Sequence, residues 1–379
     1  MRCSESERDG NYCCLYFFIR NYFAGTKILL TFASRKLVAV LPHTNFTAHE
    51  DNSTRLAYRK ICWRVIFFIY TMANKKSRSI QEQIDLLKDR GMIIEDEEFA
   101  RLHLNHVSYY RLKGYWWDMQ KDKDRHIFME ESRFEDVISR YFFDKELRLI
   151  LFDAIETIEI ALRTKMIYHL SQSFGGLFYT DKKLFVNESF HQQHIEDLMS
   201  EFMRSGEVFI KEYKRKYGVW KNGKCTSFTQ QPDAWVIFEV ATFGTLSKIY
   251  KNLCHQLPEK ARIANDFGLN IHTELSSWLE AISYLRNIVA HHSRVWSRNM
   301  VKRPMDINNP KGIWLRNPLS EFAKKKPYLI ITSMLYLCNA INAGDTYKKK
   351  IISLIEERPD IPIYKIGFPN HWNKEPIWQ

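Results

Sequence analysis

A helical period runs through this chain from Ser79 onward and leaves little room for other secondary structure. It is clearest over residues 273–296, a window without proline or glycine in which leucine and alanine are frequent. At about 100° per residue, the apolar residues of this window fall on one broad face, as in a helix that packs on a core: Leu275, Trp278, Leu279, Ile282, Leu285, Val289 and Trp296. We therefore predict an all-α fold.

Start and stop signals delimit the other predicted helices. Ser79 and Glu82 form a capping box at the start of a helix that Gly91 ends. Ser132 and Glu135 form a second capping box, at the start of a long helix that runs to about residue 173 before Gly175. Further helices are predicted over residues 96–104, 109–117, 191–203, 207–217, 233–253, 258–267, 319–343 and 346–357. We found no convincing strand alternation, no repeat and no glycine-rich phosphate loop, so nucleotide hydrolysis by a P-loop is not expected.

Composition indicates a cytoplasmic protein with a polyanionic partner. The 379 residues carry a formal net charge of +12, which favours such a partner without distinguishing RNA, DNA and lipid. Seven irregularly spaced cysteines do not form a disulfide framework or a zinc pattern, so we expect no metal site and a reducing compartment. Charged residues interrupt every apolar run before the ~20 residues that a membrane span needs, so we expect no membrane association.

The chain divides into three parts by composition. Residues 1–71 hold four of the seven cysteines and show no sustained period, so we interpret them as a non-native or disordered N-terminal extension, with Met72 as the initiator. Residues 72–131 are expected to form a small N-terminal helical subdomain. Residues 132–379 are expected to form the main helical domain.

One charged residue interrupts the apolar face of the 273–296 helix. Arg286 projects between Leu279, Ile282 and Val289, and it must find partners there because an unpaired buried charge costs several kcal/mol or more. His291 lies about 140° around the helix and roughly 7.5 Å along it, in a polar sector that includes Asn287. The alternative interpretation is a structural arginine at a helix junction with an unrelated surface histidine.

Several stretches of the sequence resemble a known family. Arg286-Asn287-x-x-x-His291 resembles the signature of the HEPN superfamily, and LRNIVAHHSRVWSR at 285–298 resembles the Abi-like family of abortive-infection proteins more specifically. Further similar stretches are SYYRLKGYWW at 108–117, DAIETIEIALRTKMIYHLS at 153–171, FEVATFGTLSKIYKNL at 238–253 and GFPNHW at 367–372. Ser297 departs from the pattern, where asparagine is expected. The resemblance covers residues from about 78 to the C-terminus.

The resemblance implies a HEPN-type helical bundle and an RNA-cleaving effector of phage defence. We interpret His291 as the general acid and base, Arg286 as the phosphate clamp and Asn287 as an orienting group. His292 is a second proton carrier or, more simply, structural. Active members of the superfamily bring two signatures together, so the resemblance implies a homodimer with a composite cleft. No cofactor and no metal are expected, and the products would carry 2′,3′-cyclic phosphate or 3′-phosphate ends.

Supporting and RNA-binding residues are predicted on other helices. Glu156, Glu159 and Arg163 share one helix edge, either as exposed ion pairs or as the partners that receive Arg286. The aromatic and basic cluster around 109–117 is expected mainly in the core, with a few side chains on RNA. The predicted RNA contacts are Tyr110, Arg111, Lys113, Lys214, Arg215, Arg294 and Arg298.

Two other functions remain open at this level. The same cleft could hold a structured regulatory RNA without cutting it, as a non-catalytic module of a phage-defence or toxin–antitoxin system. The helical surface could also serve protein contacts alone.

Overall fold

The computed structural model describes residues 29–33, 36–40 and 77–379. Two units are distinguished, Met1–Ser77 and Arg78–Gln379. In the first unit, strands β1 (Leu29–Ala33) and β2 (Lys36–Val40) form an antiparallel hairpin, where the sequence analysis had expected no strand. The other residues assigned to the N-terminal extension, including Met72, lie outside the described residues.

The second unit begins with three short helices and a small hairpin. These are α1 (Ile80–Asp89), α2 (Glu97–His106), α3 (Tyr109–Trp116), and the antiparallel strands β3 (Gln120–Asp122) and β4 (Ile127–Phe128). The predicted capping box is present, since the side chains and backbone amides of Ser79 and Glu82 bond reciprocally. The boundary predicted near residue 131 stays a prediction.

A single helix of 41 residues, α4 (Phe134–Phe174), forms the centre of this unit. Its predicted apolar stripe is buried, as expected for the core face of a helix: Leu147, Leu151, Ile155, Ile158 and Leu162. The predicted capping box at its start is wrong. Arg133 is the N-cap residue, and Ile93 bonds to the backbone of Ser132 and Phe134, which fixes this entry by a non-local contact.

Nine further helices surround α4 or follow it. They are α5 (Glu188–Arg204), α6 (Val208–Tyr217), α7 (Ala234–Ile237), α8 (Phe243–Asn252), α9 (Pro258–Asp266), α10 (His272–Ala290), α11 (Glu321–Lys324), α12 (Pro327–Ala340) and α13 (Gly344–Glu356). Strands β5 (Gly218–Lys221) and β6 (Lys224–Phe228) form a third hairpin after α6. Within the described residues, thirteen helices stand against three short hairpins, so the all-α prediction is confirmed.

Two predicted helices are each divided in the structure. The helix predicted over 233–253 breaks at Ala241, because Thr242 caps α8 through its side chain. The helix predicted over 319–343 breaks before Pro327, which occupies the first turn of α12 as proline does where its missing amide is not needed.

The core joins α4 to helices from most of the unit. Helices α3, α8, α9, α10, α12 and α13 all pack on α4, and α8 also packs on α10. The large buried side chains include Trp116, Phe143, Trp278 and Trp296. As a result, α10 is enclosed by α4 and α8 and keeps one long edge accessible.

Candidate active site

Helix α10 ends earlier than its apolar period predicts. It stops at Ala290, and His291 is the C-cap residue. The amide of His292 donates to the carbonyl of Val289 at 3.0 Å, and that of Ser293 donates to Ile288 at 2.8 Å. These two bonds form a Schellman motif, in which His292 occupies the left-handed position with a φ of 55°.

The three predicted catalytic residues lie at the C-terminal end of α10 and at its cap. Asn287 and His291 are exposed, and Arg286 is half-buried. Residues four apart on a helix are neighbours, so Asn287 lies one turn before His291. Arg286 lies about 140° around the helix from His291, on the side that approaches Glu159 of α4.

The predicted acceptor for Arg286 is close to it without binding it. Burial raises the pKa of Glu159 above the ordinary value, and the nearby charges of Arg163 and Arg286 oppose that rise. The ion pair of Glu159 is made with Arg163, at 3.1 Å between Oε1 and a guanidinium nitrogen. Among residues 77–379, Arg286 has neither a hydrogen bond nor an ion pair within 4 Å. Its guanidinium is left available for an anion.

Arg163 joins α4 to the segment that precedes α8. It pairs with Glu159, lies 3.7 Å from the carboxylate of Glu239, and donates to the carbonyl of Ala241 at 3.2 Å. Its Nε is buried without a partner in the described part of the chain. Glu156, predicted beside them, is exposed on the outer side of α4.

A cavity of about 630 Å³ opens next to this cluster, and the sequence analysis did not predict it. Its walls come from α5, α6 and the segment before α8: Glu201, Arg204, Ser205, Glu207, Phe209, Glu239 and Val240. The carboxylate of Glu201 accepts hydrogen bonds from the backbone amide of Thr242 and from the hydroxyl of Thr245, at the start of α8. Burial raises the pKa of Glu201. Its three carboxylates, from Glu201, Glu207 and Glu239, make this cavity unfavourable for a phosphate.

A buried carboxylate holds the loop that follows His291. Asp144 of α4 accepts bonds from the backbone amides of Val295 and Trp296, at 3.1 and 2.6 Å, and from the hydroxyl of Tyr115 at 2.6 Å. Arg148 pairs with the same carboxylate. Burial raises the pKa of Asp144, and Arg148 and these donors counter that effect. Sequence reasoning missed this residue, because the backbone amides that it binds, of Val295 and Trp296, are far away along the chain.

Helix α3 brings predicted RNA-binding residues to the other side of the same loop. Arg111 donates to the carbonyl of His292. Arg294 packs over Gly114, where a Cβ atom would lie 2.8 Å from its Nε, and it donates to the carbonyl of Trp296. Burial lowers the pKa of Arg294. The Nε of Arg298 donates to the carbonyl of Arg294. Arg111, Arg294 and Arg298 thus donate hydrogen bonds to backbone carbonyls of the loop that follows α10.

The remaining predicted RNA contacts lie in different surroundings. Tyr110 is exposed, and the ammonium of Lys113 lies 5.7 Å from the ring centroid of Trp117. Lys214 donates to the carbonyls of Met203 and Ser205, which end α5, so it is a helix cap. Arg215 is exposed on α6. As predicted, much of the aromatic cluster belongs to the core, with Tyr115 and Trp116 buried.

The described residues contain neither a cluster of metal ligands nor a membrane-spanning helix. No group of three or more His, Cys, Asp or Glu side chains within residues 77–379 is arranged to hold a metal ion. None of the helices of the described part of the chain combines the length and apolarity that crossing a bilayer requires.

The family model for the Abi-like protein matches residues 102–297, which is just over half of the chain. The chain therefore belongs to the Abi-like protein family. The matched range contains the loop held by Asp144, the Arg163 cluster and all of α10. No curated protein and no solved structure matches the chain.

Proposed function

We propose that this protein is an abortive-infection effector of the cytoplasm that cleaves RNA at the accessible edge of α10. The observation that carries the proposal is the guanidinium of Arg286, which has no bonded partner among residues 77–379 and lies near the end of the helix that also carries exposed Asn287 and is capped by exposed His291. A half-buried cation without a bonded acceptor is costly for folding alone. An incoming phosphate would supply the missing acceptor.

The chemistry of the proposed reaction follows from these side chains. The 2′-hydroxyl of RNA attacks the adjacent phosphorus, its proton passes to a base, and the 5′-oxygen leaves after receiving a proton from an acid. Histidine can serve in either proton transfer near neutral pH. The planar fork of Arg286 can hold two phosphate oxygens as negative charge accumulates on them. Asn287 orients the phosphate or the imidazole. The product is a 2′,3′-cyclic phosphate, and none of these steps is assigned to a metal.

One copy of the chain supplies one such histidine, so we propose that two copies act together. A stripe of exposed apolar side chains follows the outer side of α4: Leu149, Phe152 and Ile160, which are 64%, 43% and 50% exposed. Glu156 lies between Phe152 and Ile160 on this stripe. Glu159, whose pKa is raised by burial against the opposing charge of Arg286, borders the stripe. We propose that two such stripes pair about an axis near Glu156. The proposed partner is therefore a second copy of this chain, and a regulatory RNA remains a further proposed partner.

The experiment is incubation of the purified chain with end-labelled RNA in EDTA. We expect cleavage by the native chain, loss of cleavage in Arg286→Ala and His291→Ala, and retained cleavage in His106→Ala, which removes an exposed histidine from α2. Circular dichroism establishes that each variant is folded. Tight RNA binding without cleavage would favour the non-catalytic RNA-binding module, and neither activity would favour a protein-contact role.

A further inference from the structure

The hairpin of β5 and β6 projects a compact set of cations. Its turn residues, Asn222 and Gly223, both have positive φ angles, 49° and 73°. This is the backbone of a type I′ turn, which fits the right-handed twist of a two-residue hairpin. Lys221 and Lys224 pair directly across the two strands at the tip. The turn therefore sets the pairing of the strands at the tip, where two lysines face each other.

Facing lysines are unfavourable for the hairpin by itself. Like charges directly opposite in an antiparallel pair destabilise it. The last turns of α6 add exposed Lys211, Arg215 and Lys216 next to the hairpin, because β5 begins where α6 ends. Among residues 77–379, these five cations make no ion pair with a carboxylate. Positive charge is concentrated here, and exposed Glu212, the one carboxylate of α6, makes no ion pair with these cations.

An aromatic surface borders these charges, on the face of β5 opposite to the side chain of Lys221. Trp220 is 54% exposed, and its Nε1 donates to the carbonyl of Lys214 at 3.3 Å, in the last turn of α6. Gly218 leaves room for the indole, since a Cβ atom there would lie 3.0 Å from Nε1 and 2.3 Å from the carbonyl of Lys214. The indole is thus held along one edge and keeps a large part of its surface open to solvent.

We infer that the hairpin and the last turns of α6 form a binding site for single-stranded nucleic acid, separate from the Arg286 edge. Trp220 stacks on an unpaired base, while Lys221, Lys224 and Arg215 hold the flanking phosphates. Every base offers a face for stacking and every phosphate a charge, so this site is tolerant of sequence. A lipid surface fits less well, because the tip carries lysines, Asn222 and Gly223 rather than apolar side chains to insert. The inference does not depend on RNA cleavage.

The test uses the full chain carrying His291→Ala, so that the probe is not cut. Fluorescence anisotropy measures binding of labelled oligouridylate and oligodeoxythymidylate, each of about 20 nucleotides, longer than the ~4–16 nucleotides of typical single-strand sites. We expect Trp220→Ala to weaken binding about fivefold or more, as for the loss of one stacked base. Lys221→Glu with Lys224→Glu should weaken it further and reduce its salt dependence.

The matched control is Lys325→Glu with Lys349→Glu, which makes the same change of charge at two exposed lysines outside the hairpin. It should leave most of the affinity intact. Equal losses in the two double variants, or unchanged binding in Trp220→Ala, would overturn the inference. So would binding to an RNA duplex or to anionic phosphatidylglycerol vesicles with no binding to either oligonucleotide. Tight oligouridylate binding that depends on Trp220, together with an inactive native chain, would refute only the proposed cleavage.

Discussion

The carboxylate of Asp144 accepts a hydrogen bond of 2.6 Å from the backbone amide of Trp296. This bond joins the N-terminal half of α4 to the loop that follows His291. The indole of Trp296 packs against Phe143, and the guanidinium of Arg140 lies 5.6 Å from its ring centroid. The path of the chain beyond the end of α10 is therefore fixed by α4.

Asp144→Ala should destabilise the protein strongly. It leaves Arg148 as an uncompensated buried charge and removes the acceptor of two backbone amides, for which we expect a loss of about 3–5 kcal/mol in the free energy of unfolding. Urea denaturation measures the loss. The matched control is Asp153→Ala on the same helix, whose exposed ion pair with Lys350 should contribute less than about 1 kcal/mol. Similar losses in both variants would contradict the role assigned to Asp144.

Arg286→Met should leave the free energy of unfolding unchanged or raise it. The native arginine has no bonded partner among the described residues, and methionine retains its apolar contacts without a charge to desolvate. The comparison is Arg163→Met, which removes the partner of half-buried Glu159 and should cost about 2 kcal/mol or more. Denaturant unfolding of both variants tests this. A loss of several kcal/mol in Arg286→Met would indicate that Arg286 is a structural arginine.

His292→Gly should stabilise the protein by about 0.5–1 kcal/mol and preserve RNA cleavage. The left-handed position of the Schellman motif is strained for a side chain and favourable for glycine. Thermal unfolding measures the first effect, and the EDTA cleavage assay measures the second. If His292→Gly abolishes cleavage while RNA binding persists, His292 is a proton carrier.

Phe152→Glu with Ile160→Glu should convert a dimer into monomers and abolish cleavage. Both side chains are exposed, so their replacement should not affect folding of the single chain. Size-exclusion chromatography with light scattering gives the mass of each species. The control is Tyr168→Glu, an exposed aromatic residue of α4 that lies about 80° around the helix from Ile160. A native chain that is monomeric, or a double variant that stays dimeric, would contradict the proposed surface.

His272 should make stability depend on pH. Burial lowers the pKa of its imidazole below the ordinary 6.5, and the charges of Lys260 and His255 lower it further. The unfolded chain therefore takes up a proton before the folded chain does. Stability is complete above about pH 6.5 and falls as the pH falls through the folded-state pKa. The position of His272 in the first turn of α10 acts in the same direction, because a helix N-terminus disfavours a cation.

The measurement is the free energy of unfolding at pH of about 7.5 and about 5.5, in the native chain and in His272→Gln. The decrease on acidification should be smaller in the variant. His106→Gln, at an exposed histidine, should show the native decrease. An identical decrease in the native chain and in His272→Gln would exclude this role for His272.

Local sequence signals predicted most of the helices correctly, since spacing and capping act within a few residues. They failed where distant groups intervene. The period of α10 continues to Trp296, yet the helix ends at Ala290 in a Schellman motif, and the amides of Val295 and Trp296 bond to the distant carboxylate of Asp144. Ser132 has the sequence of a cap, yet its backbone is bonded to Ile93.

The candidate site was predictable in part for the same reason. Arg286, Asn287 and His291 lie within one short motif, so the one-turn spacing of Asn287 and His291 follows from helix geometry. The contact of Arg111 with the carbonyl of His292 joins residues far apart in sequence, and no periodicity could predict it. Likewise, Trp220 gained significance only when the hairpin placed it beside the lysines.

Helix α4 is roughly 60 Å long and receives helices from both its N-terminal and C-terminal neighbours in sequence. A fragment that ends within α4 would lose part of the helix on which the others pack, and its buried apolar side chains would be exposed to water. Expression of α10 and the following loop without α4 should therefore yield insoluble protein. A regulator that bends or displaces α4 would affect every helix that packs on it.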